Sequence, residues 1–248
     1  GPLSGIRVLD LTSVVSGPAA MSTLTDQGAD VIKVESLQGD QMRRTRTNAQ
    51  DSSPGFISCN RGKRSISLDL KVDEGKDILH KLLGDADCFV ENYRPGRLEQ
   101  MGFGPDVMMA ENEKLIMVRI SGYGQTGPDA KLKCFDPAAQ AASGLMAITG
   151  YPDGPPTKAG SALADSITSV FAFSGILAAL YHAERTGEGQ HVDVAMVDSV
   201  FSLIYDEPME CYPALGMPAQ QGNRIPRLSP FNSYQSNDGW LIIGAASD

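Results

Sequence analysis

Through the first third of the chain, short apolar runs of β character alternate with stretches of helical periodicity, and this order narrows the fold more than any other feature. It predicts strands at 6–11, 30–35, 65–70 and 87–91, with helices at about 18–28 and 73–84. A chain ordered in this way builds an α/β fold, a parallel sheet whose faces are covered by the intervening helices. A further strand, Leu115-Ile116-Met117-Val118-Arg119-Ile120, runs into Ser121-Gly122-Tyr123-Gly124 and a loop rich in Gly and Pro up to Pro128. Open sheets bind ligands beyond such strand ends. From Ala164 to Glu184 the residues are apolar and small, and the stretch stops at Thr186-Gly187-Glu188-Gly189, which reads as a long buried helix ended by glycine. A strand at 191–196 and a helix at 197–205 complete a first domain of residues 1–205.

Residues 206–230 carry prolines at 208, 213, 218, 226 and 230 with little periodicity, and read as a linker. The apolar run Gly239-Trp240-Leu241-Ile242-Ile243-Gly244 ends four residues before the C-terminus. Residues 206–248 are therefore expected to hold the linker and the start of a second, smaller domain. A length of 248 residues suffices for a large domain with a substantial core plus such a start.

The formal net charge of −9, with 21% charged residues, gives an average field that repels nucleic acid. A phosphorylated small molecule would then need local basic clusters. Two occur, Arg43-Arg44-Thr45-Arg46 and Asn60-Arg61-Gly62-Lys63-Arg64, with Lys71, Arg94, Arg97 and Lys133 elsewhere. The residues alone leave open whether these hold an anion or simply face solvent. Cys59, Cys88, Cys134 and Cys211 are widely spaced and form no CxxC or Cys/His pattern. Neither a metal site nor a disulfide framework is expected, and a reducing compartment, the cytoplasm before mitochondria or peroxisomes, fits best. No leader pattern and no run approaching 18 apolar residues is visible, so no membrane partner is expected.

Gly17-Pro18 lies between the first strand and its helix, with Ser16 placed to cap and Pro18 suited to the first turn. A helix N-terminus there attracts phosphate, although neither GxGxxG nor GxxxxGK[ST] is present. His80 and His182 sit on helices among apolar neighbours, His191 starts a strand, and no GxSxG elbow occurs. A nucleophile would thus be a carboxylate, a cysteine or a lysine. Asp165 stands where Gly160-Ser161-Ala162-Leu163-Ala164 meets the long helix. That position suits an N-cap, and equally a covalent nucleophile in a partly closed site; local sequence does not choose between them.

Taken in order, PLSGIRVLDLT, GP at 17–18, GADVIKVE at 28–35, NRGKRSISLDLK at 60–71, VENYRPGRLEQMGFG at 90–104, SGYGQTGP at 121–128, FDPAAQAASGLM at 135–146, SALADSITS around Asp165 and RTGEGQHVDVAMVDS at 185–199 resemble the class III CoA-transferases. The resemblance runs through nearly the whole chain. It implies a Rossmann-like large domain, a smaller second domain and two chains interlocked as rings, as a homodimer or as a heteromeric pair. It implies an acyl-CoA and a small carboxylic acid as substrates, with no tightly bound cofactor and no metal. The nucleophilic aspartate falls on Asp165. Coenzyme A contacts fall on Val15 and the Gly17-Pro18 turn, Leu68, Lys71, Asn92, Tyr93 and Met101, with Lys133 and Phe135 near the pantetheine arm. Ser36 and Gln100 stand where some members carry arginine, and Arg43 or Arg44, with Arg94 or Arg97, are candidates to supply that charge.

The related α-methylacyl-CoA racemases have a His-Asp pair where this chain reads Phe135-Asp136. A racemase needs an acid and a base flanking the α-carbon, and Phe135 cannot move a proton. The implied chemistry is therefore acyl exchange through aspartyl anhydride and aspartyl-CoA thioester intermediates. Racemisation and a non-catalytic CoA-binding subunit are the alternatives. Backbone N–H groups at 121–127 and 143–144 are candidate oxyanion donors, and Arg224 and Arg227 candidate partners for a substrate carboxylate.

Overall fold

Strands that are apolar along their whole length need cover on both faces, which puts them in the middle of a helix-flanked sheet. In the computed structural model, which describes residues 1–45, 53–207 and 210–245, this is where they lie. Arg46 of the first basic cluster and Pro208 of the linker fall outside the described residues. Strands β1 (Arg7–Asp10), β2 (Asp30–Glu35), β3 (Arg64–Ser67), β4 (Cys88–Glu91), β5 (Ile116–Ser121) and β6 (Gln190–Ala195) form one parallel sheet in the order β3-β2-β1-β4-β5-β6. β4 and β5 are buried at every residue, whereas the edge strand β3 is mostly exposed. The register places Leu9 beside Ile32 and Phe89, and Val118 beside Val90 and Val192. A separate antiparallel hairpin joins β7 (Phe231–Gln235) to β8 (Trp240–Gly244).

The helices are α1 (Ser16–Asp26), α2 (Pro54–Asn60), α3 (Asp73–Leu83), α4 (Arg97–Gln100), α5 (Pro105–Glu111), α6 (Asp136–Ala142), α7 (Leu145–Ile148), α8 (Leu163–Thr186), α9 (Met196–Phe201) and α10 (Cys211–Ala214). On one face of the sheet, Met21 and Leu24 of α1 and Ala172 and Ile176 of α8 pack against Val8, Val90 and Val118. On the other, Leu79 and Leu83 of α3 and Met108 of α5 pack against Leu9, Phe89 and Met117. This three-layer α/β architecture is the one the strand–helix alternation predicts.

The differences are local. β3 stops at Ser67 rather than 70, because Leu68 turns inward while its N–H still bonds the Glu35 carbonyl at 2.8 Å. α1 begins at Ser16 with Val15 in the cap position and no side-chain cap bond, so Ser16 does not cap it. Gly17 is required by packing: a Cβ there would lie 2.3 Å from the Thr12 Cβ. α8 ends on Gly187 in the left-handed conformation, as the sequence indicates. With 24 residues and a mean hydropathy of 1.7 in its best window, α8 is apolar and long enough, by length and composition, to cross a membrane. Asp165, Ser166, Thr168, Ser169 and Ser174 interrupt it, so no unbroken run of 18 apolar residues occurs, and here its inner face covers the sheet.

The second basic cluster is not free for an anionic ligand. Lys63 Nζ pairs with Asp10 Oδ2 at 2.8 Å, with side chains 2% and 0% exposed, and also donates to the Pro18 carbonyl and Asn60 Oδ1 at 2.9 Å. Arg61 bonds Asp26, and Arg64 bonds Asp30 at 2.5 Å. Burial works against the Asp10 charge, but Lys63 and Lys33 outweigh it and hold the carboxyl below its ordinary range. Removing one partner of a buried pair strands the other charge, whereas an exposed pair contributes little. Lys63→Met is therefore expected to cost about 3–5 kcal/mol and Arg61→Met under about 1 kcal/mol. Urea unfolding of the two variants measures the contrast, and equal losses would contradict it.

Candidate functional site

The sheet order reverses between β1 and β4, and an open parallel sheet presents its binding crevice outside the carboxyl ends of the strands at that point. Local chemistry shapes the crevice. Asn92, just past β4, accepts the Ser13 N–H through Oδ1 at 2.9 Å and donates from Nδ2 to the Ser13 carbonyl at 2.8 Å. Its side chain thus ties the β4 exit to the β1 exit. Next to Ser13, Val14 adopts φ +70°, a strained conformation for a β-branched residue. Its N–H points to Asp40 Oδ1 at 3.4 Å, and Asp40 is itself paired with the buried Lys33 at 3.1 Å.

A cavity of about 290 Å³ opens at these strand ends. Ser13, Val14, Asn92, Tyr93 and Arg94 line it from the β1 and β4 exits, and Ser121 and Gly122 from the β5 exit. Lys133, Cys134, Phe135, Asp165 and Met196 also line it. Asp165 is half-buried in the first turn of α8. Burial, and then the neighbouring charge of Asp136, push its carboxyl up to about 6, against a smaller opposing effect of Ser16. At neutral pH it is ionised and more basic than an ordinary carboxylate. The nearby thiols behave differently. Burial, reinforced by Asp165 and Asp136, pushes Cys134 up to about 11, and burial also raises Cys59, so both are protonated and weak nucleophiles. Lys33 and Lys63 are held in buried ion pairs. Between the carboxylate and the thiols, the carboxylate is the one whose ionisation suits attack.

Asp165 is not the helix cap. It is the third residue of α8, whose cap position, Ala162, has no side-chain bond. The capping is done from α6: Asp136 Oδ1 accepts the Ala164 N–H at 2.7 Å and the Asp165 N–H at 3.3 Å. Sequence reading assigned Asp136 no such part. The Asp136-Pro137 pair is a usable helix-start signal, but nothing local says which helix the carboxylate will cap.

A second cavity of about 190 Å³ brings together Leu68, Lys71, Arg97 and Met101 with Ser36, and Tyr93 lines both cavities. Other candidates fall elsewhere. Val15 occupies the cap position of α1 without a side-chain bond, and Gly17 and Pro18 are buried in its first turn, outside both cavities. Arg43 is bound to Glu35 at 2.6 and 2.8 Å and lies 3.9 Å over the Phe56 ring, so its charge is already matched. Although burial favours protonated Glu35, bonds from Arg43, Ser65 and the Asp40 N–H bring it down to about 2. Arg44 donates to the Gln38 carbonyl at 3.0 Å, and Arg97 to Gln100 at 3.3 Å. The N–H groups of Ser143 and Gly144 bond the Ala139 and Ala141 carbonyls, which removes them as oxyanion donors. Arg224 lines a different cavity, and Arg227 sits 3.9 Å from Glu207. No histidine lines the Asp165 cavity; His80 bonds Glu111 at 2.8 Å and packs on Phe103.

Residues 3–248 match the family model described as CoA-transferase family III. The chain belongs to CoA-transferase family III. It is 42% identical to the acetyl-CoA:oxalate CoA-transferase of Acetobacter aceti over 251 residues, which is 100% of this chain and 64% of that protein. It is 41% identical to the succinate–glutarate CoA-transferase of Agrobacterium fabrum, covering 100% of this chain and 64% of that protein. The succinyl-CoA–L-malate CoA-transferase alpha subunit of Chloroflexus aurantiacus is 40% identical, with 100% of this chain and 59% of that protein covered. Among solved structures, a CAIB/BAIF family protein from Brucella suis superposes with a TM-score of 0.89 at 38% identity, covering 98% of this chain and 65% of that one. The family III chain thus spans just under two thirds of the length of the relatives it matches.

The raised Asp165 carboxyl has a consequence for stability. Its folded-state value, about 6, lies above the ordinary 3.8, so ionisation opposes folding above that range and has no effect where the group is protonated in both states. Asp165→Asn is expected to raise stability at pH 7.5 by on the order of 2 kcal/mol, with the gain disappearing as pH falls through 6 toward 4. Melting curves across that range would reveal it, and a pH-independent difference would contradict it.

Proposed function

We propose that the protein to which this chain belongs transfers coenzyme A from an acyl-CoA donor to a carboxylic acid acceptor, with Asp165 as the covalent nucleophile. The observation that carries the reading is the ionised, basic carboxylate of Asp165 on the wall of the switch-point cavity, beside thiols that stay protonated. The names of the family III relatives support the reaction class. They name several different acids, so the donor and acceptor follow from none of them.

The reaction begins when an Asp165 carboxylate oxygen attacks the thioester carbonyl carbon. The C–S bond breaks, the thiolate of coenzyme A leaves, and a mixed anhydride of donor acid and Asp165 remains. The thiolate then attacks the Asp165 acyl carbon, which expels the donor carboxylate and leaves an aspartyl-CoA thioester. The acceptor carboxylate repeats both steps in reverse and regenerates Asp165. Covalent catalysis divides one acyl exchange into steps of similar energy, and exclusion of water keeps the activated intermediates from hydrolysing. Coenzyme A enters as a substrate, and no metal takes part in this scheme. Ser121 and Gly122 at the β5 exit line the cavity, and N–H groups near them are assigned the developing oxyanion.

The pantetheine end is assigned to the Asp165 cavity, where Asn92, Tyr93, Arg94, Lys133 and Phe135 gather. The nucleotide end is assigned to the second cavity, where Lys71 and Arg97 supply positive charge beside Leu68 and Met101. Tyr93, common to both, supports one continuous binding path. Lys71, Arg94 and Arg97, rather than the paired Arg43, would offset the missing arginines at Ser36 and Gln100. Residues 1–205 are read as the CoA-binding domain, with 206–248 leading into a second one, a division supported by the β7–β8 hairpin standing outside the main sheet. A dimer, of like or unlike chains, is proposed with it. The exposed apolar residues Val170, Phe171 and Tyr181 on α8 suit contact with another chain. The described cysteines are free, in keeping with a cytoplasmic, reducing setting.

Asp165→Ala should abolish transfer while leaving coenzyme A binding within a few-fold of wild type, and mass spectrometry after incubation with an acyl-CoA should find the adduct on Asp165 of the wild type alone. Because only the ionised carboxylate attacks, kcat/KM should fall as pH drops through about 6. Turnover by the alanine variant at the wild-type rate would sink the assignment. An intact chain that binds coenzyme A without gaining an adduct would favour the non-catalytic subunit.

A further inference from the structure

Asp136 is a buried carboxylate, 7% exposed, to which the reaction scheme gives no part. Its Oδ1 holds the Ala164 and Asp165 N–H groups, and its Oδ2 accepts from Gln140 Nε2 at 2.7 Å. Gln140 is fully buried, and its Oε1 accepts the Ala159 N–H at 2.8 Å. Two side chains one turn apart on α6 thus fix both the segment leading into α8 and the first turn of α8 itself. Without them that turn would lack a side-chain cap, since Ala162 offers none.

We propose that Asp136 is a positioning residue for acyl transfer: it caps α8 from a neighbouring helix, fixes the turn that aims the Asp165 carboxylate into the cavity, and occupies the helix N-terminus with a charge other than the nucleophile's. The proposal rests on the reading of Asp165 as nucleophile. A helix N-terminus stabilises an anion in its first turn, and left uncapped it would favour ionised Asp165 and weaken its basicity. Asp136 takes up the N–H groups and adds a repelling charge beside Asp165. The nucleophile is thereby ionised at neutral pH yet poorly stabilised, and a more basic carboxylate attacks faster. The other titratable or charged groups facing Asp165 are Cys134 ahead of α6, Cys59 on α2, and Tyr93, Arg94 and Lys133 on the cavity wall.

Two variants of the full-length protein separate charge from geometry. Asp136→Asn keeps an oxygen for the α8 N–H groups and removes the charge, whereas Asp136→Glu keeps the charge and displaces the oxygen. Carbon-13 NMR titration of the Asp165 carboxyl, the rate of Asp165 adduct formation from succinyl-CoA, and coenzyme A affinity are measured for each. In Asp136→Asn the Asp165 midpoint should fall by about one pH unit and the adduct rate by about tenfold, with coenzyme A affinity unchanged. Asp136→Glu should keep the midpoint near wild type and lose at least about tenfold in rate through misplacement. A purely structural cap would lower the melting temperature of both variants while midpoint and rate stay at wild-type values, and that result overturns the proposal. Should Asp136→Asn fail to fold, a wild-type rate in Asp136→Glu overturns it equally. A wild type that forms no Asp165 adduct from succinyl-CoA or from any other acyl-CoA of a panel that includes acetyl-CoA would defeat the nucleophile reading and this proposal with it, a result distinct from a normal adduct that is indifferent to Asp136.

Discussion

The buried pair between Asp10 and Lys63 is the contact on which the rest of the site depends. Asp10 is the last residue of β1, and its other carboxylate oxygen receives the Thr12 N–H and hydroxyl, so the turn leaving the central strand is fixed from its first residue. Lys63 binds the Pro18 carbonyl and the Asn60 side chain as well, which ties that turn to α1 and to the end of α2. Lys33 adds a second tie, from β2 to the Thr12 carbonyl at 2.8 Å and to Asp40. Buried charges are expensive to desolvate, and replacement by apolar residues of like volume is often neutral for stability. What they provide here is direction: the strained Val14 sits at the end of this chain of bonds and faces the cavity.

A division of labour follows along the strands. Their middles are held by packing that any apolar residue of suitable volume would serve, as Leu9 against Phe89 and Val8 against Met21 illustrate. Their carboxyl ends are held by directional polar contacts, Asp10 with Lys63, Asn92 with Ser13, and Glu91 with Arg119 at 2.7 Å. Packing places the crevice, and hydrogen bonds set its shape. The same holds across the two cavities, where Tyr93 can line both because its N–H is anchored to the buried Glu91 carboxylate at 2.6 Å.

How far the sequence carried the reading follows this division. Strands and long helices were legible because burial on one or two faces imposes a period on the residues, and the glycine after α8 marked its end. Short helices such as α6 and α5 have too few turns to show a period, and only their Asp136-Pro137 and Gly104-Pro105 starts betray them. Charge was the least legible property. Arg61, Lys63 and Arg64 read as a basic cluster, yet their carboxylate partners at 26, 10 and 30 come from other elements that only the fold brings near. Asp165 stands out through its surrounding motifs, while local sequence leaves it open as a cap, the part that Asp136, 29 residues earlier, takes.

On the reading of Asp165 as the nucleophile, that exchange of roles carries the chemistry. An aspartate that capped its own helix would have its carboxylate satisfied by backbone N–H groups, its basicity lowered and its oxygens engaged. With the cap taken from α6, bonds from Ser16 offset the burial of Asp165 only in part. The resulting cost to stability is the kind of local conflict that a structure tolerates where reactivity requires it. The Asp10–Lys63 and Lys33–Asp40 pairs sit at the opposite extreme, with every charge matched. Charges matched at the strand ends, beside a carboxylate that burial leaves under-stabilised, would confine the reactivity to one side chain.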